Sequence, residues 1–203
     1  MVADPPLLVL DACCAINLLA SGVIDDVLSM LPYRFAVADL VAEREVLHLR
    51  QEDPAPRPDL SESYVPASRS DADAVVSTVT LNPLVQAGLL QVLTAEGPDE
   101  LQTFVSLALQ LDDGEALSAA LAIHRRAVLV TDDRKALRVV GGVAPGLELR
   151  RTSSLLKEWA EAADVDAERL RAVLTNVRQR GSFVPPRDDP ERGWWERGIR
   201  GAS

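Results

Sequence analysis

The chain has 203 residues, of which 47% are hydrophobic and 26% charged, and its formal net charge is −10. That is enough apolar material for the core of one domain plus an accessory segment, and too much for a disordered chain. No apolar run approaches the roughly 20 residues of a membrane-spanning helix, and the only cysteines are the neighbours Cys13 and Cys14, which excludes a secreted disulfide scaffold and a zinc cluster. Met1–Pro6 lacks the basic stretch of a signal peptide, so the expected compartment is the cytoplasm and no membrane partner is expected. Aromatic residues make up only 4%, so the core must be aliphatic and alanine-rich. The acidic balance argues against holding nucleic acid by bulk electrostatics. The exception is an acidic site that takes up metal cations, which reverse the local field.

Leu7–Leu10 is four consecutive apolar residues ending at Asp11, the pattern of a strand buried on both faces of a parallel sheet. Ala12–Ala20 reads as a helix stopped at Gly22, and Asp25–Leu31 as a second helix ending at Pro32. Phe35–Ala38 is the next expected strand, with Asp39 as N-cap of a helix through Arg50. Gln51–Asp71 contains Pro54, Pro56, Pro58 and Pro66 and reads as a loop or insertion. Val75–Leu81 is rich in β-branched residues and is expected as an added strand. Pro83–Ala87 reads as a short helix closed by Gly88, and Leu89–Leu93 as a further strand. Pro98–Leu111 and Gly114 to about Arg125 are expected helices, the first with Asp99 and Glu100 in its opening turn. Ala127–Thr131 is another buried strand ending in acid, at Asp132 and Asp133. Asp133–Val140 is expected to be helical, Leu147–Leu149 an edge strand, and Ser154–Ala163 with Asp166–Arg180 a C-terminal helical hairpin. The tail from Gly181 carries Pro185, Pro186, Pro190 and the pair Trp194–Trp195. Strands alternating with helices define an α/β class with a parallel sheet. The expected division is a domain over residues 1–152, with an insertion at about 51–80, and a helical extension and tail over 153–203.

In an open parallel sheet the working site lies beyond the C-terminal ends of the strands. Asp11 and the Asp132–Asp133 pair are delivered to that edge. The helix after the second strand carries Glu43 and Glu45, and Glu115 falls in the first turn of the helix opening at Gly114. Each acid alone has an ordinary explanation as a cap, a turn residue or a partner of the helix dipole. Together they repel one another unless a cation sits among them. All-oxygen ligation suits Mg²⁺ or Mn²⁺, ions that activate water against phosphodiesters.

The stretches VLDACCAINLLASG, LDDGEALSAALA and AVLVTDDRKALRVV resemble the PIN-domain family, notably the ribonuclease toxins of bacterial toxin–antitoxin pairs, over roughly Leu7–Thr152. The resemblance implies a PIN-like three-layer α/β/α sandwich with a central parallel sheet, and Mg²⁺- or Mn²⁺-dependent endoribonuclease activity. It implies Asp11, Glu115 and Asp133 as metal-binding acids, Asp132 as the adjacent acid of relatives with a double Asp, and Thr131 as a hydroxyl steadying a metal-bound water. Glu45 is the favoured second acid and Glu43 the alternative; two residues apart on a helix, they point in nearly opposite directions. Cys13 departs from the family, where a small hydroxyl or amide residue is usual. The partners implied are an RNA substrate and an antitoxin protein that places a basic side chain in the acidic pocket; a homodimer is a further expectation.

His48 and His124 are expected on helices in structural or surface roles, and Cys13 and Cys14 as small core residues. Arg125, Arg126, Arg134, Lys135 and Arg138 are either RNA-phosphate contacts or a solvated face. Trp194–Trp195 is expected to pack back on the domain or a second subunit rather than to stack bases. Two other classes compete with the nuclease. One is a PIN-like fold kept as a protein-binding or regulatory module. The other, a phosphatase or response-regulator-like α/β domain, is disfavoured because Cys13 stands two residues after Asp11 where a phosphoryl-accepting phosphatase loop needs a second Asp.

Overall fold

A computed structural model of the chain describes residues 4–43, 47–50 and 76–200. In chain order its elements are β1 (Leu7–Leu10), α1 (Ala12–Ser21), α2 (Ile24–Met30), β2 (Arg34–Ala38), α3 (Asp39–Glu43), β3 (Leu47–Arg50), β4 (Val76–Val79), α4 (Asn82–Gln86), β5 (Gln91–Leu93), α5 (Pro98–Ala108), α6 (Asp113–His124), β6 (Val128–Val130), α7 (Arg134–Val143), β7 (Leu149–Arg150), α8 (Thr152–Ala162), α9 (Ala167–Arg180) and α10 (Arg192–Arg200). Five strands form one sheet in the order β5-β2-β1-β6-β7, and every pairing in it is parallel. The expected α/β class with a central parallel sheet is therefore observed.

The sheet is covered on both faces because its central strands are apolar on both. Leu8, Leu10, Val128 and Val130 join Leu18 of α1, Leu155, Leu156 and Trp159 of α8 and Leu174 of α9 in one buried cluster. Their alternates Val9 and Leu129 join Ala116, Ala119 and Ala120 of α6 and Ala136 and Val140 of α7 in another. Each fully buried aliphatic side chain contributes about 1.5–3 kcal/mol, so an aromatic-poor sequence still makes a stable sheet sandwich. The small residues on α6 let that helix lie close against the strands, which carries its N-terminal turn to the sheet edge.

Local chemistry sets the helix ends. The Asp11 side chain accepts the first amide of α1, and Gly22, at φ 77°, closes that helix in the left-handed region that glycine enters at no steric cost. Asp166 caps α9 by accepting the Arg169 amide at 2.8 Å. Pro98 opens α5, where its missing N–H would have no helical partner in any case.

Two expectations are corrected and one is met. The helix expected to run from Asp39 through Arg50 ends at Glu43, and Leu47–Arg50 is a strand, so His48 lies on β3 rather than on a helix. Leu47 and Leu49 alternate with His48 and Arg50, a period of two that a strand accommodates and a helix face does not. The added strand over Val75–Leu81 is present as Val76–Val79, and it pairs antiparallel with β3 in a separate two-stranded sheet. The C-terminal tail contains a helix, α10, that its prolines and glycines obscure in the sequence. It forms because Trp195 buries its ring in the core beside Phe183 of the preceding loop, with ring centroids 5.6 Å apart at a near-perpendicular angle. The expected loop over Gln51–Asp71 lies outside the described residues. No helix among the described residues is long and apolar enough to cross a membrane.

Candidate functional site

Leu10 lies level with Val130 across the β1–β6 pairing, so the residues after these two strands emerge side by side. Asp11 leaves β1 with its backbone amide donating to the Val130 carbonyl at 2.9 Å. Its Oδ1 accepts the Ala12 amide at 2.8 Å, while its Oδ2 accepts the Thr131 hydroxyl at 2.9 Å and the Cys13 thiol at 3.3 Å. The residue is 2% exposed. Burial pushes its pKa up, the three donors oppose that rise, and the negative charge of Asp133 adds to it.

Thr131 links the two strand ends. Its hydroxyl donates to Asp11 and accepts the Asp133 amide at 3.2 Å, which holds the loop after β6 against the first acid. Asp133 then starts α7, with Oδ1 accepting the amides of Lys135 at 2.7 Å and Ala136 at 2.8 Å. Both bonds go to one oxygen, so the cap does not use the whole carboxylate.

Glu115 arrives from the other side of the edge, as the third residue of α6. Its Oε2 accepts the Asp112 amide at 3.3 Å, the return half of a capping arrangement. Its pKa is raised to about 7, first by burial and next by the negative charge of Asp11, with Asp133 and Asp112 adding to the rise and the Asp112 amide opposing it. The structure thus brings Asp11, Glu115 and Asp133 into one mutually repelling group from three separate parts of the chain. Among the described residues no ion pair involves any of the three.

Asp132 is turned away from this group. Its Oδ1 accepts the Thr152 amide at 3.0 Å, and its Oδ2 accepts the Thr152 hydroxyl at 2.5 Å, the Asn17 amide at 2.8 Å and the Cys14 thiol at 3.4 Å. Burial raises its pKa against those four donors. The carboxylate ties the β6 loop to α1 and α8 and has its acceptor capacity filled. Its own amide donates to the Cys13 sulfur at 3.3 Å, so Cys13 bridges the two acids that follow β1 and β6. The Cys14 thiol is fully buried, which raises its pKa well above the ordinary thiol value and keeps it protonated.

The other named residues fall elsewhere. Glu43 is the last residue of α3, and Glu45 lies outside the described residues. His124 ends α6 with its Nε2 2.8 Å from the Thr103 hydroxyl. Arg125 is held by Glu100 at 3.0 Å and by the Thr94 carbonyl, while Arg126, Arg134, Lys135 and Arg138 are exposed. From the sequence, Asp39 is expected as a cap only. It follows β2 as Asp11 follows β1, on the same edge of the sheet, and its Oδ1 accepts the Leu40 amide at 2.7 Å. The signal that would have found it is the one used for Asp11, an acid directly after an apolar strand.

Among the described residues, Cys13, Cys14 and Asp132 form the one group of three ligand-type side chains whose donor atoms all lie within 4.8 Å of one another. Asp11, Glu115 and Asp133 are spaced more widely. No family model matches the chain, and no curated protein matches it either.

Proposed function

We propose that this chain is a metal-dependent endoribonuclease with a PIN-like fold, hydrolysing RNA phosphodiester bonds. The observation that carries the proposal is the convergence of Asp11, Glu115 and Asp133 at the C-terminal edge of the parallel sheet, where Glu115 is raised to about 7 by burial and by its acidic neighbours. Asp11, Glu115 and Asp133 would hold Mg²⁺ or Mn²⁺. When bound, such an ion lowers the pKa of a coordinated water and offsets charge on a phosphodiester. Thr131 positions Asp11 and the Asp133 backbone, and Asp132 anchors the loop that presents them. Glu45, with Glu43 as the alternative, remains the proposed further acid. No covalent enzyme intermediate is needed, since water is the nucleophile. The reading carries with it a cytoplasmic protein acting as the toxin of a toxin–antitoxin pair, with a basic side chain of an antitoxin entering the acidic pocket and a homodimer as a further proposed partner state.

A second reading is a PIN-like binding or regulatory module with little or no nuclease activity. The spacing of the three acids, wider than that of the Cys13–Cys14–Asp132 group, favours it. Calorimetric titration with Mn²⁺ and an RNA-cleavage assay separate the two. The nuclease reading expects Mn²⁺-stimulated cleavage that stops in chelator and falls at least about 100-fold in Asp11→Asn, with the circular dichroism spectrum unchanged. Cleavage that persists in chelator removes the metal mechanism, and a silent titration with no cleavage leaves the binding module.

A further inference from the structure

The two thiols at the start of α1 and the carboxylate after β6 form a compact donor set of a different chemical kind from the acid group beside it. The Cys13 and Cys14 sulfurs are 3.9 Å apart, and the Cys14 sulfur is 3.4 Å from Asp132 Oδ2. A tetrahedral ion with metal–sulfur bonds of about 2.3 Å and a metal–oxygen bond of about 2.0 Å has edges of about 3.8 Å between sulfurs and about 3.5 Å between sulfur and oxygen. The observed separations match both edges, and all three donors lie within 4.8 Å of one another. Thiolate donors select soft or borderline cations over Mg²⁺ and Mn²⁺.

We propose that Cys13, Cys14 and Asp132 bind one thiophilic divalent cation of the zinc or cadmium class, at a site separate from the carboxylate group. Adjacent cysteines make no zinc motif in the sequence; the third donor comes from the loop after β6, which the parallel β1–β6 pairing sets beside the first turn of α1. Cys13 and Asp132 are both half-buried, and solvent would supply the remaining ligand. On binding, each thiol releases its proton to solvent with no electrons transferred: Cys13 gives up its bond to Asp11 Oδ2, and the ion takes the place of the Cys14 thiol hydrogen on Asp132 Oδ2, where the Asn17 and Thr152 donors remain. Asp11 keeps the Thr131 hydroxyl. An ion on the Cys13 sulfur would lie within about 6 Å of the Asp11 carboxylate, given the 3.3 Å thiol contact. The site thus lets a thiophilic metal act on the first acid without occupying the acid group.

The site does not depend on the nuclease reading, and its test reads thiolate coordination rather than cleavage. Cd²⁺ alone is titrated into the reduced full-length chain, and the cadmium–thiolate charge-transfer absorption in the ultraviolet is followed. The expected result is one equivalent of Cd²⁺ bound with that absorption, undiminished by excess Mg²⁺ or by Glu115→Gln. Cys13→Ser and Asp132→Asn each weaken binding by at least about tenfold. No thiolate absorption at one equivalent overturns the proposal, as does full-affinity binding by Cys13→Ser. Because Asp132 also tethers two helices, Asp132→Asn is read only if its circular dichroism is native; the Cys13→Ser result stands without it.

Discussion

A proton stays on Glu115 to a pH at which a free glutamate has long lost it. The folded chain holds at about 7 a proton that the unfolded chain releases near 4.5. The stability this contributes is fully present below the unfolded value and is lost as pH rises through the folded one. Glu115→Gln removes that dependence. We expect urea unfolding to show wild-type stability falling between pH 4.5 and 7.5 and the variant falling less steeply, because the raised Asp11 and Asp132 still contribute. At pH 8 the variant should be the more stable by on the order of 1 kcal/mol, a figure discounted for solvent access to the half-buried carboxylate. If Glu115 holds Mn²⁺ as proposed, protons would compete for it, and Mn²⁺ affinity should weaken as pH drops below 7. Asp133 separates charge from architecture. Asp133→Asn keeps a side-chain oxygen to cap α7 and should change stability by less than about 0.5 kcal/mol while weakening Mn²⁺ binding about tenfold. Asp133→Ala loses the cap as well and should cost about 1 kcal/mol more in the same denaturation experiment.

At the scale of elements, the decisive device is the tether from the β6 loop to two helices. Asn17 of α1 and Thr152 of α8 both spend polar groups on Asp132, and both are almost fully buried. Gly181, just beyond α9, approaches so closely that a Cβ there would meet Asn17 Oδ1 at 2.7 Å, so the C-terminal helices press on the same tether. Thr152→Val keeps the volume but leaves a buried carboxylate short of a donor. It should lower stability by about 2 kcal/mol and raise amide exchange in the first turn of α8, measured by denaturation and by hydrogen exchange.

Over the whole molecule, the C-terminal helices belong to the same core as the sheet. Leu155, Trp159, Leu174, Val177 and Trp195 share a buried cluster with Leu8 and Leu10 of β1. Trp195→Ala should therefore cost about 3–5 kcal/mol, the range for deleting a buried tryptophan side chain. Thermal unfolding should show a single, lowered transition rather than the early loss of a separate segment, because α10 has no core of its own.

The chain's own pattern determined the strands of the main sheet and most of the helices: unbroken apolar runs such as Leu7–Leu10 can be satisfied only between two helical layers, and Asp, Gly and Pro punctuate the ends. It also marked Asp11, Glu115 and Asp133, since acids directly after buried strands or in a helix's first turn are local features. What it could not decide depends on contacts far apart in the chain. Whether Asp132 joins the acid group or leaves it is set by Asn17 and Thr152, which only the packing of α1 and α8 brings to it. The helix over Arg192–Arg200 exists because a distant core accepts Trp195, against a local composition that opposes it. The raised pKa of Glu115 likewise belongs to tertiary structure alone, because burial and neighbouring charge have no counterpart along the sequence.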